Sequence, residues 1–168
     1  MNAFIRDSLL DHILRSSPDF FEKLVVELLL KMGYGGGHEN AGRTIGKSHD
    51  GGLDGQINLD PLGLETVYLQ AKRYAPQNSV SSNTIDAFAG ALSKTKSTKG
   101  VLLTTSTFTS EARNAAHQSK VTIVLIDGKM LCELLIKYRI GVQSVQTLYV
   151  DRIDTEYFED LNFDGLSE

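Results

Sequence analysis

Two short segments that alternate apolar and polar side chains, joined by turn-forming residues, constrain this chain more than any other feature. Leu53-Asp54-Gly55-Gln56-Ile57-Asn58-Leu59 has the period of two expected of a strand with one wet face. Asp60-Pro61-Leu62-Gly63 supplies turn chemistry. Thr66-Val67-Tyr68-Leu69-Gln70-Ala71-Lys72-Arg73 then reads as the return strand. Side chains two apart share a face, so Asp54 goes with Gln56 and Asn58, and Gln70 and Lys72 go with Tyr68. In a hairpin both polar sets can converge on one side. An acid would then stand beside a carboxamide and an amine.

That trio suits a hard divalent cation held next to a phosphate. Magnesium takes oxygen ligands, keeps several waters and uses one or two carboxylates together with substrate phosphate oxygens. Asp54 offers the carboxylate, Gln70 an amide oxygen, and the backbone carbonyl of Ala71 a further ligand. Lys72 can stabilise charge developing on phosphorus, or position and deprotonate a water. Glu22, at the border of an apolar helical stripe, offers a second carboxylate or a hold on a metal-bound water. The competing reading is a solvated sheet face without chemistry, and spacing alone leaves both open.

The rest of the sequence sets the frame. A chain of 168 residues with 41% hydrophobic and 23% charged residues is enough for one domain with a full core. The net charge of −4 is unevenly placed. Residues 151–168 carry seven acids against Arg152 alone, a net −6 that leaves +2 for residues 1–150. We divide the chain there, into a body with a short leading helix over 1–16 and an acidic tail over 151–168. The mildly basic body is compatible with DNA, and Arg43, Lys47, His49 and Arg73 lie close enough to the hairpin to be phosphate contacts. A lone cysteine, Cys132, forms no internal disulfide and points to a reducing cytoplasm. The N-terminus is charged and lacks the apolar run of a signal peptide.

Periodicity predicts helices over 4–15 and 19–32, the second started by Ser17-Pro18 and stopped by Gly33. Further helices are expected at 84–96, 109–119 and 129–138. Gly100–Thr105 and Val121–Ile126 read as buried strands, and a strand is expected around Arg43–Lys47. A hairpin followed by alternating helix and strand predicts an α/β fold. Its mixed central sheet would carry helices on both faces.

Other chemistries fit poorly. Ala41-Gly42-Arg43-Thr44-Ile45-Gly46-Lys47-Ser48 approaches a phosphate-binding P-loop, but Ala41 replaces the first glycine. It also lacks a buried strand before it and a helix after it. The four histidines and Cys132 have no zinc-ligand spacing.

Taken together, Phe21-Glu22, Leu30-Lys31-Met32-Gly33-Tyr34, Asp50-Gly51-Gly52-Leu53-Asp54-Gly55, Leu62-Gly63-Leu64-Glu65, Val67-Tyr68-Leu69-Gln70-Ala71-Lys72-Arg73 and Thr104-Thr105-Ser106-Thr107-Phe108-Thr109 stand in a telling order. From about Pro18 to Val142 the chain resembles the catalytic domain of Mrr-type restriction endonucleases, a branch of the PD-(D/E)xK nucleases. The resemblance implies a restriction-endonuclease-like fold and Asp54, Gln70 and Lys72 as catalytic residues, with Glu22 beside them. It also implies Mg²⁺ as cofactor and double-stranded DNA, methylated foreign DNA in particular, as substrate. Two copies would be needed to cut both strands. Gln70 departs from the superfamily's usual acid and lowers the site's charge by one. A DNA-binding module that cleaves weakly, and a junction-resolving nuclease, are therefore the alternatives. Family members usually carry an N-terminal winged-helix domain. This sequence starts about one helix before the nuclease part, as a C-terminal piece or a minimal nuclease would.

Overall fold

In the computed structural model, residues 3–37, 40–45, 52–145 and 152–159 are described. Helix α1 spans Ala3–Arg15 and α2 Pro18–Lys31, followed by β1 (Gly42–Thr44), β2 (Gly55–Asn58) and β3 (Thr66–Lys72). Helix α3 (Ser82–Ser93), β4 (Lys99–Thr104), α4 (Ser110–Gln118), β5 (Thr122–Ile126) and α5 (Gly128–Lys137) alternate after the hairpin. A short α6 covers Thr155–Glu159. Local chemistry explains several boundaries. The Ser17 side chain accepts the N–H of Phe20 to cap α2, with Pro18 at its first position. Thr109 and Asp127 cap α4 and α5 in the same way, accepting from Ala112 and Met130.

The sheet runs β1-β2-β3-β4-β5. The first two pairings are antiparallel and the last two parallel, so the sheet is mixed, as its sequence predicts. Parallel neighbours need crossover connections, and α3 and α4 provide them. Every residue of β4 after Lys99 is buried, as befits a central strand covered on both faces. Ile57, Leu69, Val101 and Leu103 face a core shared with Phe21, Leu24, Val25 and Leu28 of α2 and Leu131 and Leu135 of α5. On the other face Leu102 packs with Ile85, Phe88 and Leu92 of α3 and Ala112 of α4. Tyr68 is partly buried against that second core, and Ala71 against the first. Alternation along β3 thus decides which layer each side chain meets.

Three local readings of the sequence need correction. The strand expected at 53–59 is regular only over Gly55–Asn58. Helix α3 begins two residues before the expected Thr84 and ends at Ser93 rather than at 96. It stops because the Thr95 hydroxyl donates to Leu92 O and accepts the Ser97 N–H, diverting the backbone into a turn. The tail, expected only as an acidic segment, contains α6.

Candidate active site

The pairing of β2 with β3 runs from Asn58↔Thr66 to Gly55↔Leu69. One residue further, Asp54 is still held on both sides. Its N–H donates to Leu69 O at 2.8 Å, and its carbonyl accepts the Ile45 N–H at 2.8 Å. Residues opposite one another in an antiparallel pair share a face. Gln56 stands opposite Tyr68, and Gln70 and Lys72 follow on that face of β3. At Asp54, whose N–H bonds the carbonyl of Leu69, the residue that faces Gly55, the register slips by one and strand parity no longer applies. Across β3 and β4, Gln70 pairs with Leu102 and Lys72 with Thr104. The side that carries Gln70 and Lys72 is therefore the one covered by α3 and α4.

The end of β2 opens a gap in the sheet. Leu69 directs its carbonyl toward β2, so Ala71, two residues on, turns its N–H and C=O the same way. Among the described residues none of β2 remains there to meet them. The Ala71 N–H instead donates to Asp54 Oδ2 at 2.7 Å. Burial raises the Asp54 carboxyl above its ordinary pKa, while the Ala71 N–H and the Lys72 ammonium pull it partly back. Lys72 thus acts electrostatically on Asp54 across the hairpin.

Gln70 is only 3% exposed. Its Oε1 is buried and has no hydrogen-bond partner among the described residues. Leaving such an acceptor unsatisfied costs about 1–3 kcal/mol, so it needs an explanation. The amide is wedged against Gly52. A Cβ there would come 2.4 Å from Gln70 Nε2, and the φ of +91° is already unfavourable for an L side chain. Gly52 is a floor that only glycine can form.

The other expected site residues are placed differently. Glu22 is half-buried on α2, which covers the opposite sheet face. Arg43 stands opposite Gln56 in β1, on the face of Tyr68, Gln70 and Lys72. With the Gln56 amide oxygen turned toward it, its Nη2 and Nε lie 3.2 and 3.3 Å away. Lys47 and His49 lie outside the described residues.

Arg73, expected among the phosphate contacts, is instead engaged on the protein. Its Nη1 donates to Leu14 O at 2.7 Å and to Ser16 O. The alternation that turns Lys72 to one face turns Arg73 to the other, where α1 meets α2. This clamp also brings the start of α2, and so the turn carrying Glu22, to the Lys72 end of β3. Because charged donors to carbonyls are worth about 1.5–3 kcal/mol, Arg73→Ala should lower stability by an amount up to that order, the two carbonyls being partly buried. A urea titration showing unchanged stability would contradict the clamp.

Sequence reasoning missed two parts of this environment. The fit of Gly52 to Gln70 depends on a contact 18 residues away in sequence. The buried Thr104, Thr105 and Ser106 were visible only as polar residues ending an apolar strand.

The restriction endonuclease family of Mrr-type catalytic domains matches residues 13–135. The chain belongs to the Mrr-type restriction endonuclease family. A type IV methyl-directed restriction enzyme of Escherichia coli, EcoKMrr, is 46% identical over 155 residues, covering 92% of this chain and 49% of that protein. The chain therefore spans about half the length of that relative. Two solved structures share its fold. The MspJI restriction endonuclease, in complex with a 27-mer oligonucleotide, gives a TM-score of 0.60 at 21% identity, over 80% of this chain and 32% of that one. The DNA modification-dependent restriction endonuclease AspBHI gives 0.63 at 20% identity, over 84% and 37%. The mixed sheet is thus of the restriction-endonuclease type.

Restriction endonucleases of this family generally use a divalent metal. The residues on this face suit one. Among the described residues no three His, Cys, Asp or Glu side chains gather as a metal site. The available donors are then the Asp54 carboxylate, the orphaned Gln70 Oε1 and the Ala71 carbonyl turned into the gap. All are oxygens, the ligand type hard cations prefer. Among the described residues no helix is long and apolar enough to cross a membrane.

Proposed function

We propose that this chain is the catalytic part of a Mg²⁺-dependent DNA endonuclease that restricts modified, and in particular methylated, DNA. The observation that carries the proposal is the buried Gln70 Oε1, which has no partner among the described residues and lies beside Ala71, whose N–H holds the Asp54 carboxylate. A structural glutamine would have found a donor; one that serves as a ligand is left waiting for a cation. Bound there, Mg²⁺ would polarise the scissile phosphate and lower the pKa of a coordinated water.

The chain's own residues do the remaining work. Asp54 Oδ2 is fixed by the Ala71 N–H, which leaves the other carboxylate oxygen for the cation. Gln70 adds a neutral oxygen whose position is set by Gly52. Lys72, half-buried beside them, neutralises charge developing on the phosphate where water competes weakly. Glu22, reaching the same end of the sheet from the other face, is assigned to orienting the attacking water. Arg43 lies on the active face and is assigned to the DNA backbone, with Lys47 and His49. Two copies of the chain, one per strand, would make a double-strand break.

One observation favours a second reading. A single carboxylate with a neutral amide holds a cation less tightly than the two acids usual in this superfamily. The chain would then bind DNA and cut it poorly. Incubating supercoiled plasmid with and without Mg²⁺ separates the two: nicked and linear products that vanish with EDTA support the nuclease, while mobility shifts without products support the binder.

Phosphate contacts release counterions, so duplex affinity should fall steeply and linearly on logarithmic axes as salt rises. Arg43→Ala should weaken binding alike on unrelated sequences and flatten that slope by about one unit. Fluorescence anisotropy across a salt series reads both. Affinity indifferent to salt would remove the electrostatic basis of the DNA assignment.

A further inference from the structure

The end of β3 is locked in an unusual way. The Lys72 carbonyl receives three donors: the Tyr74 N–H at 3.0 Å, the Thr105 N–H at 3.3 Å and the Thr104 hydroxyl at 2.8 Å. The first closes a tight three-residue turn, so the strand ends abruptly at Lys72. The third comes from a residue with no solvent exposure. Thr104 Oγ1 also accepts the Ser106 N–H at 3.1 Å, which leaves its proton for Lys72 O.

The neighbouring hydroxyls continue the pattern along the segment that leaves the site. Thr105 Oγ1 donates to Tyr74 O at 2.6 Å, and Ser106 Oγ donates to Asn78 O at 2.6 Å. These residues are held from behind as well. The Gly128 N–H donates to Ser106 O at 2.8 Å, and a Cβ at Gly128 would come 2.3 Å from Thr105 O. Three buried hydroxyls directly after the aliphatic run Val101–Leu103 need a reason, because burying a hydroxyl is unfavourable unless it is bonded. Valine would satisfy β4 equally well as packing. What the hydroxyls supply is an attachment for the chain that carries Lys72.

We propose that Thr104 is a positioning residue for Lys72. Its buried hydroxyl fixes the Lys72 carbonyl, and with it the Cα from which the ammonium is projected toward Asp54. Thr104 touches neither DNA nor cation; it acts through Lys72. The inference rests on Lys72 serving the cleavage step, so the two must be tested together. Displacing a reacting group by about 1 Å can cost on the order of a hundredfold in rate. Loss of one of three anchors should cost less, roughly tenfold.

The test is single-turnover cleavage of a supercoiled plasmid by the whole chain with saturating Mg²⁺, comparing wild type, Lys72→Ala, Thr104→Val and Thr104→Ser. Thr104→Val keeps the shape and removes the hydroxyl. It should lower the rate constant about tenfold while DNA affinity and reaction amplitude stay at wild-type values. Thr104→Ser restores the hydroxyl and should restore the rate. A merely structural threonine would instead reduce the amplitude, as less protein is folded, and leave the rate constant of the active fraction unchanged; that result overturns the proposal. Should Thr104→Val fail to fold, Thr104→Cys, with a longer and weaker donor, decides: an intermediate rate constant supports the role and a wild-type one overturns it. Wild-type cleavage by Lys72→Ala would refute the assignment of Lys72 itself. Inactive Lys72→Ala beside fully active Thr104→Val would refute only the positioning role.

Discussion

Asp54→Ala should abolish cleavage and Mg²⁺ binding together, because it removes the carboxylate that the Ala71 N–H holds beside Gln70. Lys72→Ala should behave differently. Metal and DNA binding should survive, and the rate should fall about a hundredfold or more, as expected when a group that stabilises transition-state charge is lost. Gln70→Glu adds a negative charge at ligand distance and restores the acid usual in this superfamily. It should tighten Mg²⁺ binding, and cleavage should at least persist. Calorimetric Mg²⁺ titrations beside plasmid cleavage distinguish the three outcomes. If the three residues merely lined a wet sheet face, all three variants would cut like the parent.

Gly52→Ala is the second change with a large expected effect. The added Cβ would overlap Gln70 Nε2 at 2.4 Å, on a backbone whose φ of +91° already disfavours it. The strain alone should cost about 1–3 kcal/mol. The displaced amide should also weaken Mg²⁺ binding and slow cleavage by about tenfold or more. Gly33→Ala separates these contributions. That glycine has a φ of +101° but nothing within 4 Å of an added Cβ. It should lose comparable stability with an unchanged cleavage rate constant. Equal rate losses in both variants would mean that strain, and not the Gln70 contact, is what matters.

The parts of this site that were legible in sequence are those fixed by the rigid period of a strand. Alternation put Gln70 and Lys72 on one face, as their pairing with Leu102 and Thr104 of β4 has it. Asp54 instead reaches the same end of β3 through the Ala71 N–H, past a slip in register that alternation does not foresee. The same rule, applied to Arg73, would have turned it away from the DNA. It was grouped with the phosphate contacts because it is charged and adjacent to Lys72, whereas its parity sends it to Leu14 and Ser16. The helices were recognisable from their apolar stripes and caps, but the end of α3 depends on a single hydroxyl, Thr95, competing with the helix. Gly52 and Thr104 stand in the motif segments, but what each does was not readable. Their partners lie 18 and 32 residues away, and only the folded sheet brings them together.

The most direct test of the metal-dependent nuclease assignment is cleavage of supercoiled plasmid by the wild-type chain and Asp54→Ala, each with Mg²⁺ and with EDTA. We expect nicked and linear products only from the wild type with Mg²⁺, with both proteins retaining the same cooperative thermal transition. Cleavage by folded Asp54→Ala at the wild-type rate, or cleavage by the wild type undiminished in EDTA, would contradict it.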